Sequence, residues 1–175
     1  MPDALRHEPN AIVVTGVSGS GKTTVALGLA GHYGYAFLDA DDFHSADARA
    51  QMQSGIALTD EQREPWVTSL ARELQRQAEQ GKSTVLAFSG LRAMHRQRLR
   101  DSGVPMRFVF LHAAPAAIAA RLAARTDHFM SATLLASQFE ALQIPTFEPD
   151  VIAVQTDGSP AQVLERVIAA LDSDG

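Results

Sequence analysis

The sequence predicts an α/β fold in which a parallel sheet is buried between helices. Short continuous apolar runs recur along the chain, as in strands that are buried on both faces. These predicted strands are Ala11–Thr15, Tyr35–Leu38, Thr84–Phe88, Arg107–Leu111 and Val151–Val154. Longer segments with helical spacing separate them, and this regular alternation is typical of a parallel sheet. The length of 175 residues favours a single domain over residues 1–175.

The segments between the strands have apolar residues at helical spacing. The predicted helices are Lys22–Tyr33, Pro65–Gln80, Leu91–Arg100, Ala116–Ala124, Ala132–Leu142 and Pro160–Leu171. In the second of these, Trp66, Leu70 and Leu74 share one face. The last begins with Ser159-Pro160, an N-cap residue followed by proline at the first helical position. Two polar segments, residues 40–65 and 125–150, have no predicted strand, and inserts of that length in a compact domain are usually functional.

The composition excludes several classes of protein. A formal charge of −5 lacks the basic surplus that binds nucleic acid, so no nucleic-acid partner is expected. The absence of cysteine excludes disulfides, cysteine-ligated zinc and a thiol nucleophile. No apolar run approaches the roughly 18 residues of a membrane span, so no membrane partner is expected. Residues 1–10 lack the apolar core of a secretion signal, which favours a cytoplasmic location.

The strongest functional motif is the P-loop pattern G-x-x-x-x-G-K-T at Gly16–Thr23. It follows a predicted strand and leads into a predicted helix, which is the context the motif requires. Its glycines let successive backbone N–H groups point at phosphate oxygens, and the helix N-terminus adds partial positive charge. Lys22 is expected to reach the β- and γ-phosphates and Thr23 to bind Mg²⁺. The alternative is a glycine-rich turn without a ligand, which the flanking strand and helix disfavour.

A P-loop predicts binding of a nucleoside triphosphate but does not define the reaction. A GTPase would also carry an N-K-x-D motif, which this sequence lacks. The length disfavours a large motor or transporter ATPase. A kinase of small molecules or nucleotides remains.

Two aspartates follow the second predicted strand, where ligands of an open parallel sheet gather. Of Asp39 and Asp41, one suits Mg²⁺ and the other suits a base that deprotonates an acceptor hydroxyl. For an isolated D-x-D pattern a solvated acidic turn or a helix cap is the commoner explanation. The P-loop beside it favours the catalytic interpretation.

Arginines supply the positive charge that phosphoryl transfer needs. Arg121 and Arg125 lie four residues apart, so they share a helix face that leads into the second strandless segment. A solvated basic helix end is the alternative. A fork for an acidic acceptor is available from Arg63, Arg92, Arg96, Arg98 and Arg100, most of which are expected on the surface. His44, His128 and Trp66 are, as residue types, more often structural.

Further motifs follow the P-loop in order. They are F-L-D-x-D at Phe37–Asp41 with His44, M-x-x-G-x-x-L-x-D-x-x-R-x-P-W at Met52–Trp66, S-x-L with a basic residue at Ser89–Arg92, R-x-x-L-R at Arg96–Arg100, R-L-x-x-R-x-x-H-F-M at Arg121–Met130 and S-Q-F-x-x-L at Ser137–Leu142. With them the sequence, from Ala11 to about Leu171, resembles the gluconate kinases, small P-loop kinases related in fold to shikimate and adenylate kinases.

This resemblance implies ATP-dependent phosphorylation of D-gluconate on its 6-hydroxyl, with Mg²⁺. It also implies a three-layer α/β/α P-loop kinase fold with a five-stranded parallel sheet of order 2-3-1-4-5. An acceptor-binding insert at about 40–65, a helical lid at about 125–145 and often a homodimer complete the family pattern.

The resemblance also implies roles for individual residues. The catalytic set is Lys22, Asp41 and Arg125. The nucleotide-binding set is Gly16, Ser18, Gly19, Ser20, Gly21, Lys22, Thr23, Thr24 and Arg121. Acceptor binding falls to Asp41, His44, Arg63, Arg92 and Arg96, and Mg²⁺ binding to Thr23 and Asp39.

Five positions depart from the family pattern. One is Ser45, which stands where the family commonly has proline. Ala48 and Gln51 stand where the family commonly has asparagine and lysine, Arg92 where it has lysine, and His95 where it has tyrosine. Two alternatives therefore stay open. One is a kinase of this fold, similar to shikimate kinase, that acts on another hydroxy acid or sugar. The other is a nucleotide-binding regulator without kinase activity, against which the D-x-D pair and the arginines argue.

Overall fold

The computed structural model describes residues 9–17, 19–123 and 132–174. Five parallel strands form one sheet in the order β2-β3-β1-β4-β5, which confirms the predicted topology. The strands are β1 (Ala11–Thr15), β2 (Ala36–Asp39), β3 (Thr84–Ala87), β4 (Met106–His112) and β5 (Val151–Gln155). All five predicted strands are present, with ends that differ by one residue at most.

Seven helices are described: α1 (Lys22–Tyr33), α2 (Ala46–Gln53), α3 (Asp60–Glu79), α4 (Ala93–Arg100), α5 (Pro115–Ala123), α6 (Ala132–Ala141) and α7 (Pro160–Asp174). The prediction was wrong at α3, which begins five residues before Pro65. The helix begins there because Thr59 and Gln62 form a capping box, in which each side chain accepts a hydrogen bond from the other residue's backbone. The strandless segment 40–65 also contains the short helix α2, which the sequence analysis did not predict.

The helices cover both faces of the sheet. Side chains alternate along β1, so that Ile12 and Val14 pack with α1 and α7 on one face. Ala11 and Val13 pack with α3 and Leu99 of α4 on the other. Burial on both faces explains why the strands are continuously apolar.

A third apolar cluster lies at the carboxyl end of the sheet. It joins Val17 of the P-loop and Leu91 to Ile118 of α5 and Leu135 of α6. The described part of the predicted lid, from α6 to residue 145, therefore packs against the P-loop. Within the described residues, no helix is long and apolar enough to cross a membrane.

Candidate active site

The P-loop connects β1 to α1 through glycines with left-handed backbone conformations. Gly19 has φ 81° and Gly21 has φ 95°, a region that side chains other than glycine rarely adopt. A Cβ atom on Gly16 would lie 2.7 Å from Ser20 Oγ and 3.0 Å from the Leu111 carbonyl oxygen. Both conformation and space therefore require glycine in this loop. Ser18 lies outside the described residues.

Two polar side chains of the P-loop have the positions expected of a phosphate site. Lys22 is the first residue of α1, and its Nζ donates a hydrogen bond to the Val17 carbonyl oxygen at 3.0 Å. Ser20 is only 2 % exposed, and its Oγ has no hydrogen-bond partner among the described residues. Because an unsatisfied buried hydroxyl is costly, Ser20 is suited to a ligand that supplies the missing partner.

The two aspartates after β2 lie in different environments. Asp39 caps a 3₁₀ turn at residues 40–43 by accepting a hydrogen bond from the backbone N–H of Asp41 at 2.9 Å. Burial raises the pKa of Asp39, whereas the hydrogen bond from the Asp41 N–H and the charge of Lys22 oppose this rise. The Asp41 side chain is 82 % exposed, with its Oδ1 4.0 Å from His44 Nε2. Asp39 is thus partly buried, whereas the Asp41 side chain is open to solvent.

His44 and Trp66 form a buried aromatic stack beside Asp41, with ring centroids 4.0 Å apart. The Trp66 indole N–H donates to the carbonyl oxygen of Ala40 at 2.7 Å, which ties α3 to the 3₁₀ turn. Burial lowers the pKa of His44, and its Nδ1 has no partner among the described residues. His44 therefore lies beside Asp41, and Trp66 belongs to the core that supports it.

Two of the predicted acceptor arginines lie close together. Arg63 of α3 and Arg92, which precedes α4, both bind Oδ1 of Asp60 at 3.3 Å. Burial lowers the pKa of Arg63, and the Arg92 charge adds to the effect, whereas Asp60 opposes it. One carboxylate is shared by two guanidinium groups, so this pair retains a net positive charge that suits an anionic ligand.

The other three arginines predicted for an acidic acceptor do not bind Asp60 with Arg63 and Arg92. All five N–H groups of Arg96 point at protein acceptors, and its side chain is 2 % exposed. Arg98 lies 3.4 Å from Thr68 Oγ1 on the surface, and Arg100 pairs with Glu148 and Asp150. Arg96 therefore presents no donor that is not already engaged.

Arg121 lies at the other side of the P-loop. One of its terminal nitrogens is 3.4 Å from the Gly19 carbonyl oxygen, and the other donates to the Thr156 carbonyl oxygen at 2.7 Å. It thereby connects α5, the P-loop and the segment between β5 and α7. Arg125 and His128 lie outside the described residues.

Comparisons with known proteins agree with this arrangement. A family model described as an AAA domain matches residues 12–145. A gluconokinase of Gluconobacter oxydans is 39 % identical over 92 % of this chain and 90 % of its own length. The thermoresistant gluconokinase of Escherichia coli is 36 % identical over 94 % and 92 %. The chain belongs to the gluconokinase family.

Solved structures agree with membership of the gluconokinase family. A gluconokinase from Sinorhizobium meliloti has a TM-score of 0.86 at 36 % identity and covers 96 % of this chain and 94 % of its own. An APS kinase from Mycobacterium tuberculosis, at 21 % identity and a TM-score of 0.66, shares the fold alone. The assignment to a family therefore rests on the gluconokinases, which match this chain over nine-tenths or more of both lengths.

The departure from the gluconokinase pattern at Gln51 has a local explanation. Its amide forms a reciprocal pair with the Gln62 amide, at 3.1 Å and 2.9 Å, and also donates to the Ala57 carbonyl oxygen. Ala48 lies in the first turn of α2, where its N–H is capped by Ser45 Oγ. Gln51 therefore joins α2 to the start of α3 within the segment 40–65.

Two residues of the site were missed by the sequence analysis. Asp60 joins Arg63 to Arg92, and Arg49 donates to the backbone carbonyl oxygens of Asp41 and His44 at 3.0 Å and 3.4 Å. A carboxylate three residues before an arginine on a helix was a signal that could have found Asp60. No local pattern indicates Arg49, because its partners lie across a turn.

Proposed function

We propose that this protein is an ATP-dependent kinase that transfers the γ-phosphoryl group to the 6-hydroxyl of D-gluconate, giving 6-phosphogluconate. The observation that carries the proposal is the similarity to gluconokinases over nine-tenths of both chains. The site supports it, because a phosphate loop, a pair of aspartates and a pair of arginines lie at the carboxyl edge of one sheet.

The nucleotide end of the proposed site is the P-loop together with Arg121. Backbone N–H groups of the loop and the hydroxyls of Ser18, Ser20, Thr23 and Thr24 are the groups proposed to bind phosphate oxygens. Lys22 exchanges the Val17 carbonyl oxygen for the β- and γ-phosphates. Arg121 borders the loop at Gly19, which suits contact with a phosphate or the base. Arg125 is proposed to stabilise the transferring group.

The donor set fits Mg²⁺ bound together with ATP. Mg²⁺ in kinases is held by one or two protein oxygens, phosphates and waters, and Thr23 and Asp39 provide such oxygens. Among the described residues no cluster of three or more histidine or acidic side chains could hold a metal ion. When bound, Mg²⁺ neutralises negative charge on the phosphates. Asp39 is kept in position by its cap to Asp41.

The acceptor end is proposed to consist of Asp41, His44, Arg63 and Arg92. The exposed Asp41 carboxylate takes the proton of the 6-hydroxyl as that oxygen bonds to the γ-phosphorus and the bond to the ADP oxygen breaks. Arg63 and Arg92 bind the gluconate carboxylate, in exchange for part of their contact with Asp60. His44 borders Asp41 and contacts the sugar chain.

An acceptor screen with Mg-ATP tests the proposal. We expect gluconate to be phosphorylated with a kcat/KM about ten- to a hundredfold above that for glucose, since a charge-assisted bidentate contact contributes about 1.5–3 kcal/mol. Equal efficiency on the two acceptors, or preference for shikimate, contradicts gluconate as the substrate. ADP release that does not respond to any acceptor contradicts kinase activity.

Variants of the two arginines test the acceptor end. Arg63→Ala and Arg92→Ala should raise KM for gluconate while barely changing the weak rate on glucose. Arg76→Ala is the matched control, because Arg76 lies on the same helix as Arg63 and pairs with Glu73 at the surface. A cytoplasmic location and a homodimer are also proposals, testable by cell fractionation and by sedimentation of the purified protein, respectively.

A further inference from the structure

We infer that Arg96, Gln143 and Glu148 form a latch that positions the loop bearing Arg92 and so determines the affinity for the acceptor. The inference rests on the proposed function, because it concerns the acceptor end of that same site. It assigns Arg96 a positioning role, in place of the direct contact that the family resemblance implies. Arg96 acts through the backbone of the loop that joins β3 to α4.

Arg96 is the centre of the latch. Its Nη1 donates to the carbonyl oxygens of Gly90 and Leu91 at 2.6 Å and 3.3 Å. Its Nε and Nη2 bind the two carboxylate oxygens of Glu148 at 2.9 Å and 2.6 Å, and Nη2 also donates to the Gln143 carbonyl oxygen at 2.9 Å. One planar guanidinium thus fixes two segments of backbone to each other.

Gln143 joins the same two segments from the other side. Its backbone N–H donates to the Leu91 carbonyl oxygen at 2.7 Å. Its side-chain Oε1 accepts from the backbone N–H of Ala93, the first residue of α4, at 2.6 Å. The Gln143 side chain therefore caps α4 at the residue that follows Arg92.

The latched loop is also attached to the P-loop. Ser89 accepts a hydrogen bond from the backbone N–H of Gly16 at 3.2 Å. Gly90 has φ 54°, and a Cβ atom there would lie 2.9 Å from Thr15 Cγ2, so the loop runs close to the end of β1. Arg92 is therefore held between the P-loop at one end and the latch at the other. This arrangement holds the backbone of Arg92 in place relative to the P-loop.

The Glu148 carboxylate is charged, because its hydrogen bonds to Arg96, followed by those to Arg100, lower its pKa. Arg100 continues the network to Asp150 at 2.7 Å but contacts no residue of the Ser89–Ala93 loop among its described partners. The network therefore has one part, Arg96 with Glu148, that contacts the Ser89–Ala93 loop, and another part, Arg100 with Asp150, that does not. This division provides matched controls.

The test compares two pairs of variants by steady-state kinetics and thermal unfolding. Gln143→Ala removes the cap on Ala93, and its control Gln97→Ala removes an exposed amide from α4 that binds Asp101. Glu148→Gln removes the charge that Arg96 binds, and its control Asp150→Asn weakens only the Arg100 end. Arg96→Ala is less informative, because loss of a buried guanidinium could prevent folding. Gln143→Glu retains an acceptor oxygen for Ala93 and serves as the rescue.

We expect Gln143→Ala and Glu148→Gln each to raise KM for gluconate by about three- to tenfold, with KM for ATP and kcat within about twofold of the wild type. Both controls and Gln143→Glu should leave KM for gluconate within about twofold. If the two latch variants lower the unfolding temperature like their controls without changing KM for gluconate, the latch is purely structural and the inference is overturned. A wild type inactive on gluconate overturns the proposed function, and the inference with it.

Discussion

Lys22 is one of two lysines in a chain that otherwise uses arginine. A compact ammonium at this position suits phosphate oxygens approached from a tight loop. We expect Lys22→Met to lower kcat by about three orders of magnitude or more, because it removes a main electrostatic stabiliser of the transferring phosphoryl group. Lys82→Met, which removes the other, exposed lysine, is the control. Near-normal turnover in a folded Lys22→Met protein contradicts the P-loop assignment.

The two aspartates after β2 differ in burial, so their variants should differ in effect. Asp41→Asn is expected to preserve ATP binding and abolish transfer, because an amide cannot accept the hydroxyl proton. Asp39→Asn is expected to raise the Mg²⁺ concentration needed for half-maximal rate. Titration of rate against Mg²⁺, with exposed Asp42→Asn as control, separates the two. If both variants lose only Mg²⁺ affinity, the assignment of a base to Asp41 is wrong.

We expect His95 to make the stability of the protein depend on pH. Burial lowers its pKa, Arg63 and Arg92 lower it further, and Glu64 and Asp60 oppose them. Below the usual histidine pKa of about 6.5 the unfolded chain therefore binds a proton that the folded protein does not, so stability falls as pH falls through this window. We expect His95→Leu to lose less unfolding free energy than the wild type between about pH 7.5 and 5.5. Equal losses in denaturant titrations contradict this role.

At the scale of elements, α1 contains two glycines with different surroundings. A Cβ atom on Gly31 would meet no atom within 4 Å, whereas one on Gly28 would lie 2.5 Å from Leu164 Cδ2 of α7. Gly31→Ala should therefore raise the unfolding free energy by about 0.5–1 kcal/mol through helix propensity. Gly28→Ala should gain less or destabilise, because α1 and α7 pack closely there. Chemical denaturation of both variants measures the difference, and an equal gain in both contradicts the packing argument.

In the whole molecule, the lid predicted at about 125–145 is described from Ala132 onward. Its helix α6 packs on the P-loop, and Gln143 binds the Ser89–Ala93 loop. These contacts link the proposed lid to both ends of the site. We expect amide exchange in residues 132–145 to slow when a non-hydrolysable ATP analogue and gluconate bind together. Helix α7, on the opposite side of the sheet from α3, is the internal control. Identical exchange in the free and ternary states contradicts closure.

The strands and the P-loop could be predicted from the amino-acid sequence alone, and the order of the strands followed from the family resemblance. These features are local: a buried strand must be apolar over consecutive residues, and a phosphate loop needs its glycines and lysine at fixed spacing. The pair Asp39 and Asp41 was likewise found from its place at a strand end. Their different burial was not, since it depends on how the turn after β2 packs against the rest of the protein.

The different surroundings of the predicted acceptor arginines could not be predicted, because they depend on tertiary contacts. Arg92 and Arg96 are four residues apart and equivalent in sequence pattern, yet Arg92 shares Asp60 with Arg63. Arg96 is surrounded by carbonyl oxygens of the Ser89–Ala93 loop and by Gln143 and Glu148. The last two residues lie 47 and 52 positions away along the chain. Spacing along a helix reports which residues share a face, but the acceptors that occupy that face come from distant segments. The burial of Arg96, and with it the proposed division between a binding and a positioning arginine, therefore depends on the packing of residues 142–148 against the start of α4.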